Sequence, residues 1–167
     1  MDTNKYLQEL KSKLCAPSRR QNIELTREWA STFPDEPGNY IITENGQIIY
    51  AGETGSLKGR MLDLLDTRNH CVRRSLGEKY YQDELDYRKA TSSQTFSDNI
   101  EELINRHMIE RLRVSTLVVK LGRKELEELI QSEIAQEHKL NKRGARGKKN
   151  KVIVLDSILM VEPLNKN

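Results

Sequence analysis

The feature that most constrains this chain is a hairpin written into residues 37 to 60, PGNYIITENGQIIYAGETGSLKGR. Asn39 to Thr43 and Gln47 to Ala51 carry the β-branched and aromatic residues of strands. Glu44-Asn45-Gly46 joins them, and Asn-Gly readily takes the positive φ values a tight hairpin turn requires. Alternation puts Tyr40 and Ile42 on one face of the first strand, and Gln47, Ile49 and Ala51 on one face of the return strand. Which faces agree across the hairpin is left open. Gly52 and Gly55 allow close backbone approach beyond the strand end. Ser56 is placed to cap a helix from about Leu57 that carries Arg60, Met61, Leu64 and Leu65. Two phenols and a guanidinium can thereby meet at one end of a small sheet, and those groups suit phosphodiester chemistry.

The rest of the chain supplies helices to cover that sheet. Tyr6, Leu7, Leu10 and Leu14 fall at helical spacing, and a second short helix is expected over Leu25 to Ser31. A further helix starts near His70 and holds Val72 and Leu76, while Gly77 to Phe96 gives no clear pattern, with YYQDEL a helical candidate and KATSSQ a loop. Asp98 with Glu101 reads as a capping box before a helix that aligns Ile100, Leu103, Ile104, Met108 and Leu112. Val114 to Leu121 is the strongest strand by β-branched content, ended by Gly122. Lys124 to about His138 is a long helix with Leu126, Leu129, Ile130 and Ile134 on its apolar side. The order predicts an α/β domain of the α+β type, a small three-stranded, mainly antiparallel sheet flanked by helices. Residues 1–36 are expected as a helical extension, 37–141 as the main domain, and 142–167 as a basic arm and an apolar end segment.

Composition sets the outer limits. At 167 residues the chain is long enough to bury a core. No run approaches the roughly 18 consecutive apolar residues of a membrane span. The charged N-terminus has no stretch like that of a signal peptide, so a cytoplasmic location is expected. Cys15 and Cys71 form no CxxC pair and read as free thiols. The net charge of +3 decides little, but residues 139 to 151, KLNKRGARGKKNK, hold seven basic residues and no acid. Such a run is either a solvated tail or a flexible arm that contacts phosphates.

The tripeptides Gly38-Asn39-Tyr40 and Tyr50-Ala51-Gly52, followed by Thr54, Leu57 and Arg60, resemble the GIY-YIG nuclease family. The spacings match, and Asn39 and Ala51 stand at the tolerant isoleucine positions. The later helix, strand, LGRKELEEL helix and Asn141 extend the resemblance over about residues 37 to 141. It implies a hydrolase that cuts nucleic acid with one divalent metal, Mg²⁺ or Mn²⁺. On that resemblance Tyr50 is the general base, Tyr40 orients the water or a phosphate oxygen, and Arg60 stabilises the phosphorane charge.

Three departures mark this chain. The family often has lysine three residues after the base tyrosine, where Glu53 stands here. It often has His or Tyr four residues after the arginine, where Leu64 stands, and His70 is the nearest replacement, or else an exposed or capping residue. The metal glutamate is either Glu127, which follows Leu126 and has Ile130 at plus three but Gln131 at plus four, or Glu133, nearer the apolar face. Lys58, Arg73, Arg74, Asn141, Lys142, Arg143, Arg146, Lys148 and Lys149 are candidate nucleic-acid contacts, with helix-surface charge or capping as their other reading. The resemblance implies a DNA endonuclease, of which a restriction or host-defence type is one form, with RNA also open as substrate. A nucleic-acid-binding module that keeps the fold without turnover is the second expectation. A homodimer is open, with the N-terminal helices and the final VIVLDSILMV as candidate surfaces.

Overall fold

The structure is a computed structural model that describes residues 2–141. The chain runs through α1 (Thr3–Cys15), a short 3-10 turn, β1 (Gln21–Asn22), α2 (Arg27–Ser31), β2 (Gly38–Glu44), β3 (Gln47–Thr54), α3 (Leu57–Asp63) and α4 (Cys71–Tyr80). It ends with α5 (Asp98–Arg111), β4 (Leu112–Val118) and α6 (Arg123–Glu133). Among the described residues the sheet has four strands in the order β1-β4-β2-β3, with every neighbouring pair antiparallel. The expectation of three strands omitted β1. Two polar, exposed residues carry no strand pattern, and they pair only because Gln21 lies opposite Val114.

Helices cover both sides of the sheet. One face carries Tyr40, Ile42 and Tyr50 and packs against α2 to α5 through Trp29, Leu57, Met61, Val72, Leu76, Ile100, Ile104 and Met108. The other carries Ile41 and Ala51 and packs against Leu14 of α1 and Leu126 and Ile130 of α6. The residues read as an N-terminal extension therefore contribute to both cores and to the sheet itself. Fully burying each aliphatic side chain is worth roughly 1.5–3 kcal/mol relative to exposure, so these helices are part of what holds the sheet together. No described helix is long and apolar enough to cross a membrane.

The register settles what alternation left open. Tyr40 lies opposite Gly52 and Ile42 opposite Tyr50, so the two tyrosines are diagonal neighbours on one face. A shift after Ile42 then brings Thr43 opposite Ile48. Local ends differ from expectation in physical ways. Ser97, not Asp98, caps α5 by accepting the Ile100 N–H, and Glu101 reaches back to the Phe96 N–H, so the reciprocal cap sits one residue earlier. YYQDEL is not a helix: α4 stops at Tyr80 and the chain turns through Tyr81 to Tyr87. β4 stops at Val118, and α6 stops at Glu133 rather than His138.

Candidate active site

Sequence and packing together make the tyrosine pair. The rings of Tyr40 and Tyr50 lie with centroids 5.7 Å apart, and both are buried. A Cβ on Gly52 would come within 2.6 Å of the Tyr40 ring, so only glycine lets that phenol lie across β3. At the start of β2, a Cβ on Gly38 would meet the Leu117 carbonyl at 2.3 Å, so glycine there lets β4 pair closely. Thr54 Oγ1 accepts the Ser56 N–H, Ser56 Oγ accepts the Gly59 N–H, and Leu57 is fully buried. Those three contacts fix how α3 leaves the sheet and so where Arg60 sits.

His70 joins the pair. It caps α4, with Nδ1 accepting the Val72 N–H at 3.2 Å, and its Nε2 lies 2.8 Å from Tyr40 Oη. An accepting Nδ1 carries no proton in the neutral ring, so the network assigns the hydrogen to Nε2, which donates to Tyr40. Burial, and then the charges of Arg60, Arg74 and Arg73, push the imidazole down to about 3. His70 is therefore a neutral donor. It reaches the site from the start of α4 although Leu64, at the usual position, is buried apolar core. Cys71 was not foreseen as part of the site, yet its Sγ lies 3.5 Å from Tyr50 Oη.

Burial pushes the Tyr40 phenol well above its ordinary range, and Arg60 pulls it back in part. Burial, then Tyr40 and Cys71, push Tyr50 up as well. Both are protonated phenols at neutral pH. Arg60 gives one N–H to Asp63 at 3.2 Å, while its Nε is buried without an acceptor. Burial raises the Asp63 carboxyl, and Arg60 opposes that. Glu53 does not disturb Tyr50. Three residues along a strand is the opposite face, where Glu53 pairs with Arg123 of α6.

The two glutamates separate. Glu127 acts electrostatically on Tyr40 and is held by Gln131, whose Nε2 donates to Glu127 Oε1 at 3.0 Å and to the Ala51 carbonyl at 3.3 Å. This places Glu127 at the outer rim of β3, the edge strand. Glu133 turns toward α1, where Lys11 pairs with it, and it is 48% exposed. Its apparent place on the apolar side comes from helical spacing, while the residue itself lies at the last turn of α6.

Several candidate nucleic-acid contacts have internal duties instead. Arg73 is 2% exposed and bonds to Glu101, Thr67 and the Leu64 carbonyl, so it is a core residue and not a phosphate contact. Arg74 donates to the Thr67 and Arg68 carbonyls and holds the loop before His70. Asn141 neither caps a helix nor faces outward. Its Oδ1 accepts the Ala51 N–H at 3.2 Å and its Nδ2 donates to the Ala51 carbonyl at 2.9 Å. Lys58 is half-buried on α3, two residues from Arg60 and so on another side of the helix. Lys142, Arg143, Arg146, Lys148 and Lys149, and the end segment, lie outside the described residues.

Tyr40 over Gly52, Tyr50 beside it, and the Arg60 guanidinium and Glu127 carboxylate that act on Tyr40 thus stand together at one region of the sheet. No family model matches the chain, and no curated protein does. Two solved structures are similar, both of the GIY-YIG N-terminal endonuclease domain of UvrC from Thermotoga maritima, each a point mutant bound to its catalytic divalent cation. The first is 18% identical, covers 70% of this chain and 94% of that one, and has a TM-score of 0.36. The second is 18% identical, covers 64% and 86%, and has a TM-score of 0.32.

The donors fit a hard divalent cation. Among the described residues no three His, Cys, Asp or Glu side chains gather into a metal cage. Mg²⁺ does not need one, because it keeps several waters and binds through one or two carboxylates plus substrate phosphates. Glu127 is a carboxylate of that kind, and Gln131 Nε2 donates to one of its oxygens.

Proposed function

We propose that this protein is a divalent-metal-dependent endonuclease that hydrolyses phosphodiester bonds in DNA, with Mg²⁺ or Mn²⁺ as cofactor. The observation that carries the reading is the Arg60 Nε, a buried donor without an acceptor on a guanidinium that acts on the Tyr40 phenol. A guanidinium fork fits two phosphate oxygens, and a donor already in place stabilises the charge of the phosphorane as it forms. His70 gives its Nε2 hydrogen to Tyr40, so the Tyr40 hydroxyl hydrogen is available to a phosphate oxygen or to water. Tyr50 takes the proton of the attacking water as general base. An ordinary tyrosine is about one part in a thousand ionised at pH 7, a deficit of about 4 kcal/mol. Burial adds to that deficit, and Tyr40 and Cys71 add further to it. Glu127 would hold the cation, which when bound supplies Lewis-acid polarisation of the phosphate and a lowered water pKa. The basic residues from Lys142 to Lys149 would extend the contact along the phosphate backbone.

The test is nicking of supercoiled plasmid with Mg²⁺ or Mn²⁺ by the wild type, Tyr50→Phe and Arg60→Ala. Cleavage by the wild type alone is expected. No cleavage of DNA or RNA, or full activity in both variants, overturns the reading. The protonated state of both phenols favours a second reading, a binding module without turnover, which predicts salt-dependent DNA affinity and no metal-dependent cutting. A restriction or host-defence role rests on the family resemblance alone, and lower phage plating efficiency on expression is its test.

A further inference from the structure

Gln131 breaks the sequence pattern of the metal helix, since an apolar residue is expected four positions after the carboxylate. It is 7% exposed, so a carboxamide has been taken into the packing where a hydrocarbon would do. Four residues is one helical turn, which stacks Gln131 on Glu127. The hydrogen-bond network fixes its orientation. Nε2 faces two acceptors, Glu127 Oε1 and the Ala51 carbonyl. Turning the amide over would set its oxygen against both, so the donor must point this way. The arrangement leaves Oε1 buried without a partner, a cost of roughly 1–3 kcal/mol for such a group. The Ala51 carbonyl does not need Gln131, because Asn141 already donates to it. What Gln131 adds is an N–H to the Glu127 carboxylate.

We propose that Gln131 is a positioning residue that orients the Glu127 carboxylate for a divalent cation, tying that ligand to the rim of β3 beside Tyr50. The inference rests on the metal-dependent reading above. A partner that hydrogen-bonds a metal ligand fixes the ligand's direction, and its loss typically weakens metal affinity about 10–100-fold. Methionine keeps the length and flexibility of glutamine without the donor, and leucine gives the expected apolar residue.

The experiment titrates the full-length protein with Mn²⁺, followed by electron paramagnetic resonance, for the wild type, Gln131→Met, Gln131→Leu and Glu127→Gln. The expected result is a dissociation constant raised at least about tenfold in both Gln131 variants. Their metal-free melting temperature should match the wild type or exceed it, since the orphan oxygen is gone. The Mn²⁺ concentration for half-maximal nicking should rise equally, with turnover at saturating Mn²⁺ within about twofold of the wild type, the split that separates lost ligand orientation from lost structure. Unchanged Mn²⁺ affinity in both Gln131 variants, with Glu127→Gln binding none, overturns the positioning role and leaves the nuclease reading intact. A melting temperature lowered in both variants with affinity unchanged also overturns it, because the residue is then only packing. No Mn²⁺ binding by the wild type, or wild-type affinity in Glu127→Gln, overturns both.

Discussion

Two histidine clusters stand near opposite ends of β2, and they look alike until their hydrogen bonds are followed. At the Tyr40 end, His70 meets Tyr40 and Tyr50, and Cys71 meets Tyr50. At the Glu44 end, His107 Nε2 lies 2.9 Å from Glu44 Oε1 and Nδ1 lies 3.0 Å from Tyr81 Oη, while Tyr80 and Arg111 also bind Glu44. Both imidazoles are pushed down by burial, although Glu44 opposes the shift in His107. The difference lies in what is left over. No buried side-chain polar atom of the Glu44 cluster lacks a partner. Among the described residues only four buried side-chain polar atoms lack one, and two of them, Arg60 Nε and Gln131 Oε1, belong to the region of the tyrosine pair. Titratable groups alone do not mark a site. A buried group left unpaired asks for an explanation, and two stand near the tyrosine pair.

The sharpest way to break this contrast is to delete one group from each cluster. Arg60→Ala should lower the nicking rate by about 10²–10³, the usual loss for one charge-stabilising donor, with little change in melting temperature. Glu44→Ala should do the reverse. It strands His107 and costs about 1–3 kcal/mol of stability by urea unfolding, with turnover unchanged below the midpoint. If Glu44→Ala abolished cutting while remaining folded, the two clusters would not be distinct in kind.

Gly52→Ala tests the geometry beneath the open cluster. Its Cβ meets the buried Tyr40 ring, so overpacking should cost roughly 1–3 kcal/mol, and activity should fall together with stability. A fully active, equally stable Gly52→Ala protein would remove the steric account of the tyrosine pair. His70 gives a pH test. Its folded pKa, about 3, lies below the ordinary 6.5, so the unfolded chain takes up the proton first as pH falls. Its contribution is complete above pH 6.5 and is lost progressively toward pH 3. Over that window wild-type stability should fall more steeply than that of His70→Gln by up to about 1.4 kcal/mol per pH unit. Equal slopes in urea titrations would mean His70 is not buried neutral. The smallest effect is expected at Glu133→Gln, an exposed pair with Lys11, at under about 1 kcal/mol and no change in Mn²⁺ affinity.

The open cluster was largely legible because its parts are close in sequence. Tyr40, Tyr50 and Arg60 lie on one hairpin and the next helix, where alternation and the Asn-Gly turn constrain placement. The shared face needed the register of β2 against β3, which the sequence pattern leaves free. Residues distant in sequence were harder. Arg73 reads as a surface charge until Glu101, from another helix, is seen to bury it. Asn141 reads as a cap until the exposed rim of β3 is known to lie beside it. The closed cluster was not foreseen at all. Glu44, His107, Tyr80 and Tyr81 come from three separate segments with no motif between them.

The rim of β3 has one more consequence. An edge strand offers bare N–H and C=O groups to any other strand, which is how sheets of separate molecules join. Here Leu140 takes the Ile49 carbonyl, and Asn141 takes both backbone groups of Ala51. Two consecutive side-by-side docking points on the strand that bears Tyr50 are thus occupied from within the same chain. A second molecule cannot extend the sheet there, so any pairing of two copies must use a different surface.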